Sequence, residues 1–213
     1  MPYRENQASS WSKEKRMKKI FIVLGLAFVV VFALNIPYLF PSFWKDITHK
    51  NTVPVEPERI ESVDGLFAME LPYGWESTEA GTLNALSCLE ALDIRRELYF
   101  AAIMEKKADF DLDLVGYRDR IVTYNEGLSG SSFGEPTATT VGEYEAYSYE
   151  FYSTTPDGVN LYMILYVIET DNYFGQLYSW TERTMEMDYK EELGNVVHTF
   201  TEESGTADES NAT

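Results

Sequence analysis

Cysteine and histidine are almost missing from this chain of 213 residues. Cys88 stands alone, and the only histidines are His49 and His198. One cysteine cannot form an intramolecular disulfide, and two histidines this far apart in sequence fit no metal-binding motif. We therefore predict no metal, no cofactor and no catalytic cysteine, and we expect Cys88 to be a small core residue protected by burial.

Positive charge is scarce after residue 50. Residues 51–213 contain nine Lys/Arg against 32 Asp/Glu, whereas residues 1–19 contain six against two. An acidic surface repels phosphate backbones, which removes the electrostatic contribution that dominates nucleic-acid affinity. We therefore exclude a nucleic-acid partner.

Charge of either sign is absent from Ile20 to Phe40. As a helix these 21 residues would be roughly 31 Å long, about the thickness of the hydrocarbon core of a bilayer. Because basic residues lie mainly before this segment, the N terminus is predicted to be cytoplasmic and the C-terminal domain extracytoplasmic. The alternative is a cleaved signal peptide that releases a soluble secreted domain, since the strictly apolar part, Ile20–Leu34, has the length of a signal sequence.

Composition divides the chain into five parts. A basic cytoplasmic tail (1–19) precedes the transmembrane helix (20–40), and a linker follows (41–58), whose polar part Asp46–Glu58 contains two prolines. The exported domain covers 59–201, and the acidic tail 202–213, rich in small residues, is predicted to be disordered.

Hydrophobic patterns within the exported part predict an α+β fold. Leu161–Ile168 is apolar at every position, which predicts a central strand covered on both faces. Phe174–Trp180 is predicted to pair back against it, and Leu66–Leu71 to form an earlier strand. The segments that flank "DIRRE" are predicted to form a hairpin, and 185–197 a final helix.

An apolar stripe with helical spacing starts at Leu114 and predicts an amphipathic helix. Its members are Leu114, Tyr117, Ile121, Tyr124 and Leu128.

Three alternating aspartates before this helix, at 109, 111 and 113, invite comparison with a calcium-binding loop. Such a loop requires glycine at its sixth position and a carboxylate at its twelfth, but counting from Asp109 these positions hold Leu114 and Arg120. The aspartates are therefore interpreted as the start of the helix, with Asp111 as the N-cap.

One motif suggests an enzyme. The sequence "GSSFG", Gly130–Gly134, matches the nucleophile elbow of hydrolases with Ser132 as the nucleophile, but a helix rather than a strand precedes it. A pair among the many carboxylates is the other catalytic possibility. An exported hydrolase that uses Ser132 or a carboxylate pair is thus the alternative function.

Aromatic residues of the predicted strands offer a possible binding surface. Tyr147, Tyr149 and Trp180 would form a platform for a partner if they are exposed. The alternative is that they are core residues of the sheet.

Several segments together resemble bacterial exported proteins of the PsbP-like fold, named after an extrinsic protein of photosystem II. They are "FAMELPYGW", "LYFAAIMEKKADFDLDLVGYRDRI", "VGEYEAYSYEF", "LYMILYVIETDNYFGQLYSWT" and "EELGNVVHTF". The resemblance places a Leu-Pro-x-Gly-Trp turn at Leu71–Trp75, a long helix near Leu112–Leu128 and a hairpin beginning at Gly142.

The resemblance implies an antiparallel sheet between helices and no known catalytic residues, because known members act as accessory or binding proteins. The chain is therefore expected to be a non-enzymatic module that binds another envelope protein or a cell-wall component.

We predict that the anchor stays attached and that the domain faces outward. A reporter active only outside the cytoplasm, fused after Thr213, should be active and should remain in the membrane fraction at full length, because no good cleavage site follows the apolar run. A shortened product in the medium, or activity confined to the cytoplasm, would contradict this.

Overall fold

The computed structural model describes residues 57–129 and 133–203, which form ten strands and two α-helices. The strands are β1 Glu58–Glu61, β2 Phe67–Leu71, β3 Glu76–Ser77, β4 Leu89–Asp93, β5 Leu98–Lys106, β6 Thr137–Val141, β7 Tyr144–Thr154, β8 Asn160–Glu169, β9 Tyr173–Glu182 and β10 Thr201–Glu202. The helices are α1 Leu114–Ser129 and α2 Glu186–Asn195. The predicted strands, the hairpin around "DIRRE" and the final helix are confirmed.

Seven of these strands form one antiparallel sheet in the order β3-β4-β5-β9-β8-β7-β6. Strands β8 and β9 lie near its centre and are buried at every position except their ends. Both faces of β8 are covered, as its continuous apolar sequence predicts.

Helices cover the two faces of this sheet. On one face α1 buries Tyr117, whose ring stacks on Phe174 of β9 at a centroid distance of 4.6 Å. On the other face α2 buries Leu193, and Ser179 of β9 donates a hydrogen bond to the Leu193 carbonyl. The predicted sheet between helices is present, and a second sheet of three strands, in the order β1-β2-β10, also packs on the α2 face.

The predicted N-cap of α1 is wrong by two residues. Asp113, not Asp111, caps the helix: Asp113 Oδ1 accepts a hydrogen bond of 2.8 Å from Gly116 N–H, and the Asp113 carbonyl accepts one from Tyr117 N–H. The helix starts at Leu114 rather than Leu112 because burial of the apolar stripe begins there, whereas Leu112 is exposed.

The Leu-Pro-x-Gly-Trp turn fixes α2 against one end of the large sheet. Gly74 has a φ of +92°, which glycine adopts without steric cost, and this lets Trp75 turn into the core. The Trp75 indole N–H donates to Glu192 of α2 at 2.8 Å.

Arg96, in the β4–β5 turn, bridges Glu192 and Asp93, and also donates to the Tyr73 carbonyl. We call this region, formed by residues 72–75 and 94–97, the turn end.

Cys88 is half-buried at the margin of the core rather than inside it. Burial, followed by the nearby charge of Asp64, raises the pKa of its thiol to about 12. The thiol is therefore protonated at neutral pH and unreactive, as a packing residue would be.

Several predicted features lie outside the described residues: the span 20–40, the linker before residue 57, Ser132 and the tail after residue 203. Among the residues that are described, neither helix is long and apolar enough to cross a membrane.

Substituting Asp113 with alanine should lower the free energy of unfolding by about 1 kcal/mol, because the cap bond to Gly116 is lost. Asp111→Ala is the matched control and should have little effect, since Asp111 is exposed and makes no cap bond. Urea unfolding of both variants measures the difference. An equal or larger loss at Asp111 would contradict the observed start of the helix.

Candidate functional site

An open cleft of about 580 Å³ lies at the end of the large sheet opposite the turn end. It is lined by the β6–β7 turn, the β8–β9 turn and the end of β10, together with the end of β5 and the residue before β2. Four carboxylates line it against a single ammonium group, that of Lys106. The acidic residues are Glu143, Asp171, Glu202 and Glu203.

Glu202 holds the cleft together. Its carboxylate accepts hydrogen bonds from the Asn172 side chain at 2.7 Å and from Asn172 N–H at 3.1 Å. Its own backbone N–H donates to the Tyr144 hydroxyl at 3.0 Å. Glu202 belongs to the small sheet, whereas Tyr144 belongs to β7 of the large sheet and Asn172 lies in the turn between β8 and β9. This one residue therefore joins the two sheets.

The ionisation of Glu202 follows from the same contacts. Burial opposes the charged form, but hydrogen bonds from Thr170 and Asn172 outweigh it and hold the pKa of Glu202 below its ordinary value. The carboxylate is therefore ionised at neutral pH and fixed in position.

The β8–β9 turn that carries Asp171 and Asn172 is held by its own polar contacts. Thr170 N–H donates to the Tyr173 carbonyl, and Tyr173 N–H donates to the Thr170 hydroxyl. The Lys107 ammonium binds the Thr170 carbonyl and pairs with Glu169 at 2.7 Å. This wall of the cleft is thus rigidly supported.

The β6–β7 turn forms the opposite wall. Gly142 has a φ of +56°, and a Cβ there would lie 3.5 Å from the carbonyl oxygens of His198 and Phe200, so the turn packs closely on the chain that leads into β10. The next residues, Glu143 and Tyr144, line the cleft, and Tyr144 is nine-tenths buried.

The four carboxylates differ in whether their side chains already have a partner within the protein. Glu203 pairs with Arg59, and Glu202 is held by Asn172. The side chains of Glu143 and Asp171, in contrast, make no hydrogen bond or ion pair with any other residue in the ranges 57–129 and 133–203. Two anionic groups in the cleft are therefore free to bind a cationic ligand.

The predicted aromatic platform is mostly buried. Tyr149 and Trp180 are 5% and 6% exposed, so these two do not meet the condition of exposure. Tyr147 is half-buried, and the Arg118 guanidinium lies 4.4 Å from its ring centroid. Among the described residues, the exposed tyrosines are Tyr73 and Tyr152, which the sequence analysis does not single out.

For the hydrolase alternative, Glu97 and Glu182 are one example of neighbouring carboxylates among the described residues. Glu97 ends the β4–β5 turn and Glu182 ends β9; burial, followed by the charge of Glu182, raises the pKa of Glu97. Glu97 has a φ of +56°, and this conformation belongs to the tight turn between β4 and β5, of which Glu97 is the last residue. Within the described residues, no group of three or more metal-ligating side chains is found.

The buried carboxylate of Glu90 has a structural explanation. It accepts hydrogen bonds of 2.7 Å from the backbone N–H groups of Leu83 and Asn84, so it supports the loop before β4. Burial raises the pKa of Glu90 although these bonds favour its charged form. The carboxylate points to no ligand, because the protein itself supplies its partners.

Comparison with known proteins shows the fold. No protein-family model matches the sequence, and no curated protein matches it. The solution structure of cyanobacterial PsbP (CyanoP) from Synechocystis sp. PCC 6803 aligns with a TM-score of 0.53 and 14% identity, over 72% of this chain and 96% of that one. The fold is therefore PsbP-like, which confirms the resemblance predicted from sequence.

Two further solved structures are similar to this chain. LpqN, involved in cell envelope biogenesis of Mycobacterium tuberculosis, has a TM-score of 0.48 and 15% identity, over 74% of this chain and 95% of that one. The Ran-binding protein Mog1p of Saccharomyces cerevisiae has a TM-score of 0.45 and 8% identity, over 70% and 96%.

Glu202→Gln should lower the free energy of unfolding at pH 7 by about 1 kcal/mol. Each carboxylate oxygen accepts one hydrogen bond from Asn172, and glutamine replaces one of these oxygens with an NH2 group, which cannot accept a hydrogen bond. The folded-state pKa of Glu202 is lowered, so its contribution is present above the ordinary pKa of a glutamate and is lost as the pH falls through the folded value. The gap between wild type and variant, measured by urea unfolding, should therefore narrow progressively as the pH falls below the ordinary pKa of a glutamate. Exposed Glu145→Gln is the control, and a gap that is constant with pH would contradict the assignment.

Proposed function

We propose that this chain is a membrane-anchored, exported and non-enzymatic module that binds or assists another component of the cell envelope. Residues 20–40 are the anchor, with the N terminus in the cytoplasm. The observation that carries the proposal is the cleft, which is preformed, open to solvent and lined by four carboxylates, two of which, Glu143 and Asp171, have no partner among the described residues.

The groups that line the cleft suit binding better than covalent catalysis. Its polar side chains are carboxylates, an amide, an ammonium and tyrosines, with no serine, cysteine or histidine among the described lining residues. Nucleophilic catalysis requires a nucleophile next to a base that activates it. Electrostatic attraction and hydrogen bonding require only the groups that are present.

The direction of the chain supports a cleft that faces away from the proposed anchor. β1 begins at Glu58, which pairs with Leu71 directly before the turn end. β5 runs from Leu98, beside the turn end, to Lys106 at the cleft. At 3.3 Å per residue the two ends lie about 26 Å apart. A chain that arrives from the membrane at Glu58 would therefore present the cleft outward.

In-membrane photo-crosslinking tests the proposed function. A photoreactive residue is placed singly at Asp171 in the cleft, at Tyr73 at the turn end and at Met187, which is 91% exposed on α2. We expect the full-length chain in its native membrane to capture one defined protein or cell-wall component from at least one position. Positions that capture nothing mark the faces that do not bind.

The absence of any specific adduct from all three positions would contradict a binding function. A defined reaction catalysed by the purified chain, and abolished by Ser132→Ala or Glu97→Gln, would favour the hydrolase instead.

A further inference from the structure

Four strands have one edge that pairs with no other strand of the described residues: β3 and β6 in the large sheet, β1 and β10 in the small sheet. An open edge exposes backbone N–H and C=O groups to other extended chains, so proteins keep such strands short or place charges on them. β3 and β10 have two residues each, and three of the four residues of β1 are charged. β6 is five residues long and contains neither a charged residue nor a proline. Among these four edges, β6 alone lacks such protection.

The register of β6 shows which of its backbone groups are unused. A turn of two residues joins β6 to β7, so Val141 and Tyr144 exchange both hydrogen bonds next to the turn. Hydrogen-bonded and non-hydrogen-bonded pairs alternate along an antiparallel ladder, so Ala138 and Thr140 belong to non-hydrogen-bonded pairs. The N–H and C=O groups of these two residues therefore point away from β7, and both residues are exposed.

An extended polypeptide laid along β6 would satisfy these four backbone groups. Recognition by strand addition draws its affinity from such main-chain hydrogen bonds. The edge needs little ordering before it binds, because pairing with β7 already holds β6 extended. Its side chains are threonine, alanine and valine, and threonine and valine are well suited to a sheet.

Charge determines which kind of chain fits this edge. The segment 133–146 contains three exposed glutamates, Glu135, Glu143 and Glu145, and no lysine or arginine. If β6 paired with a second copy of itself, antiparallel and centred on Thr139, Glu135 of each copy would lie beside Glu143 of the other. Like charges that face each other across a strand pair are destabilising, which disfavours a second copy. A strand with lysine or arginine at its ends has the complementary charge.

We propose that β6 is the docking edge for an extended, basic segment of the partner polypeptide. The segment adds an eighth strand to the large sheet through the backbone groups of Ala138 and Thr140, and its basic side chains lie beside Glu135 and Glu143. This inference rests on the proposed binding function and names the surface and the form of the partner.

The test uses the purified full-length chain in detergent and a fluorescent peptide, Lys-Thr-Val-Thr-Val-Thr-Lys, with blocked ends. Thr140→Pro removes an outward N–H and should weaken binding at least about tenfold. The thermal melt should stay close to that of the wild type, because this N–H does not bond to β7. Thr140→Val is the matched control: it keeps the N–H and should bind like wild type. If Thr140→Pro does not fold, Ala138→Pro removes the other outward N–H and makes the same comparison.

The contributions of the main chain and of charge are measured separately. The same peptide N-methylated at its threonines and valines lacks these main-chain donors and should bind at least about tenfold more weakly. The double variant Glu135→Lys, Glu143→Lys should weaken binding of the unmethylated peptide several-fold, and the difference should shrink as salt increases. The double variant Asp157→Lys, Glu191→Lys changes the net charge equally at exposed sites outside 133–146 and should bind like wild type.

Equal affinity of folded proline variants and Thr140→Val, or of the two peptides, would overturn β6 as the docking edge. Equal weakening by both double variants would overturn the basic character of the partner. Sedimentation of the chain without peptide tests the other occupant: a dimer that Thr140→Pro dissociates would overturn the inference in favour of a second copy.

The crosslinking experiment separates this inference from the proposed function. A peptide that does not bind, together with specific capture from Asp171, Tyr73 or Met187, would overturn the docking edge while the binding function stands. Failure at all three positions removes that function itself.

Discussion

The contact between Glu202 and Asn172 is the constraint on which the cleft depends. The small sheet is linked to the cleft end of the large sheet by a short strand of two residues, β10, and little apolar area can be buried by so short an element. The carboxylate compensates by accepting two hydrogen bonds from the β8–β9 turn, while its backbone engages Tyr144. Because charged hydrogen bonds are directional, they fix the position of the walls as well as their distance.

At the turn end, charged hydrogen bonds between other residues likewise hold separate elements together. Arg96 bridges Asp93 and Glu192, and Glu192 also accepts the Trp75 indole N–H, so the β4–β5 turn, the Leu-Pro-x-Gly-Trp turn and α2 are joined by one partly buried network. With both ends of the sheet fixed and its centre buried on both faces, the cleft has little conformational freedom to lose. A preformed site binds with a smaller entropic cost than a loop that must become ordered.

The sequence predicts the centre of this molecule well and its edges poorly. The continuous apolar run of β8 and the helical stripe of α1 are readable because burial imposes a fixed period on each. The N-cap is not readable, because Asp111 and Asp113 are chemically equivalent and only the backbone shows which one reaches the Gly116 amide. Tyr149 and Trp180 illustrate a second limit, since an aromatic strand residue looks the same in sequence whether a helix covers it or solvent does.

The topology of the fold explains why the cleft could not have been predicted from the sequence. Glu143, Asp171 and Glu202 lie in three separate turns or strand ends, and each is typical of an acidic surface residue when considered alone. Antiparallel pairing of β6 with β7 and of β8 with β9 brings two of them to one end of the sheet, and pairing of β10 with β2 adds the third. No local sequence pattern predicts that these three residues lie close together, because their proximity depends on the order of strands in both sheets.

A double-mutant cycle between Glu202→Ala and Asn172→Ala tests most directly whether this contact joins the two sheets. Urea unfolding of the wild type, both single variants and the double variant gives the coupling free energy of the pair. We expect a favourable coupling of about 1 kcal/mol, as for a hydrogen bond to a charged group. Additive single effects, with no coupling between the two residues, would contradict it.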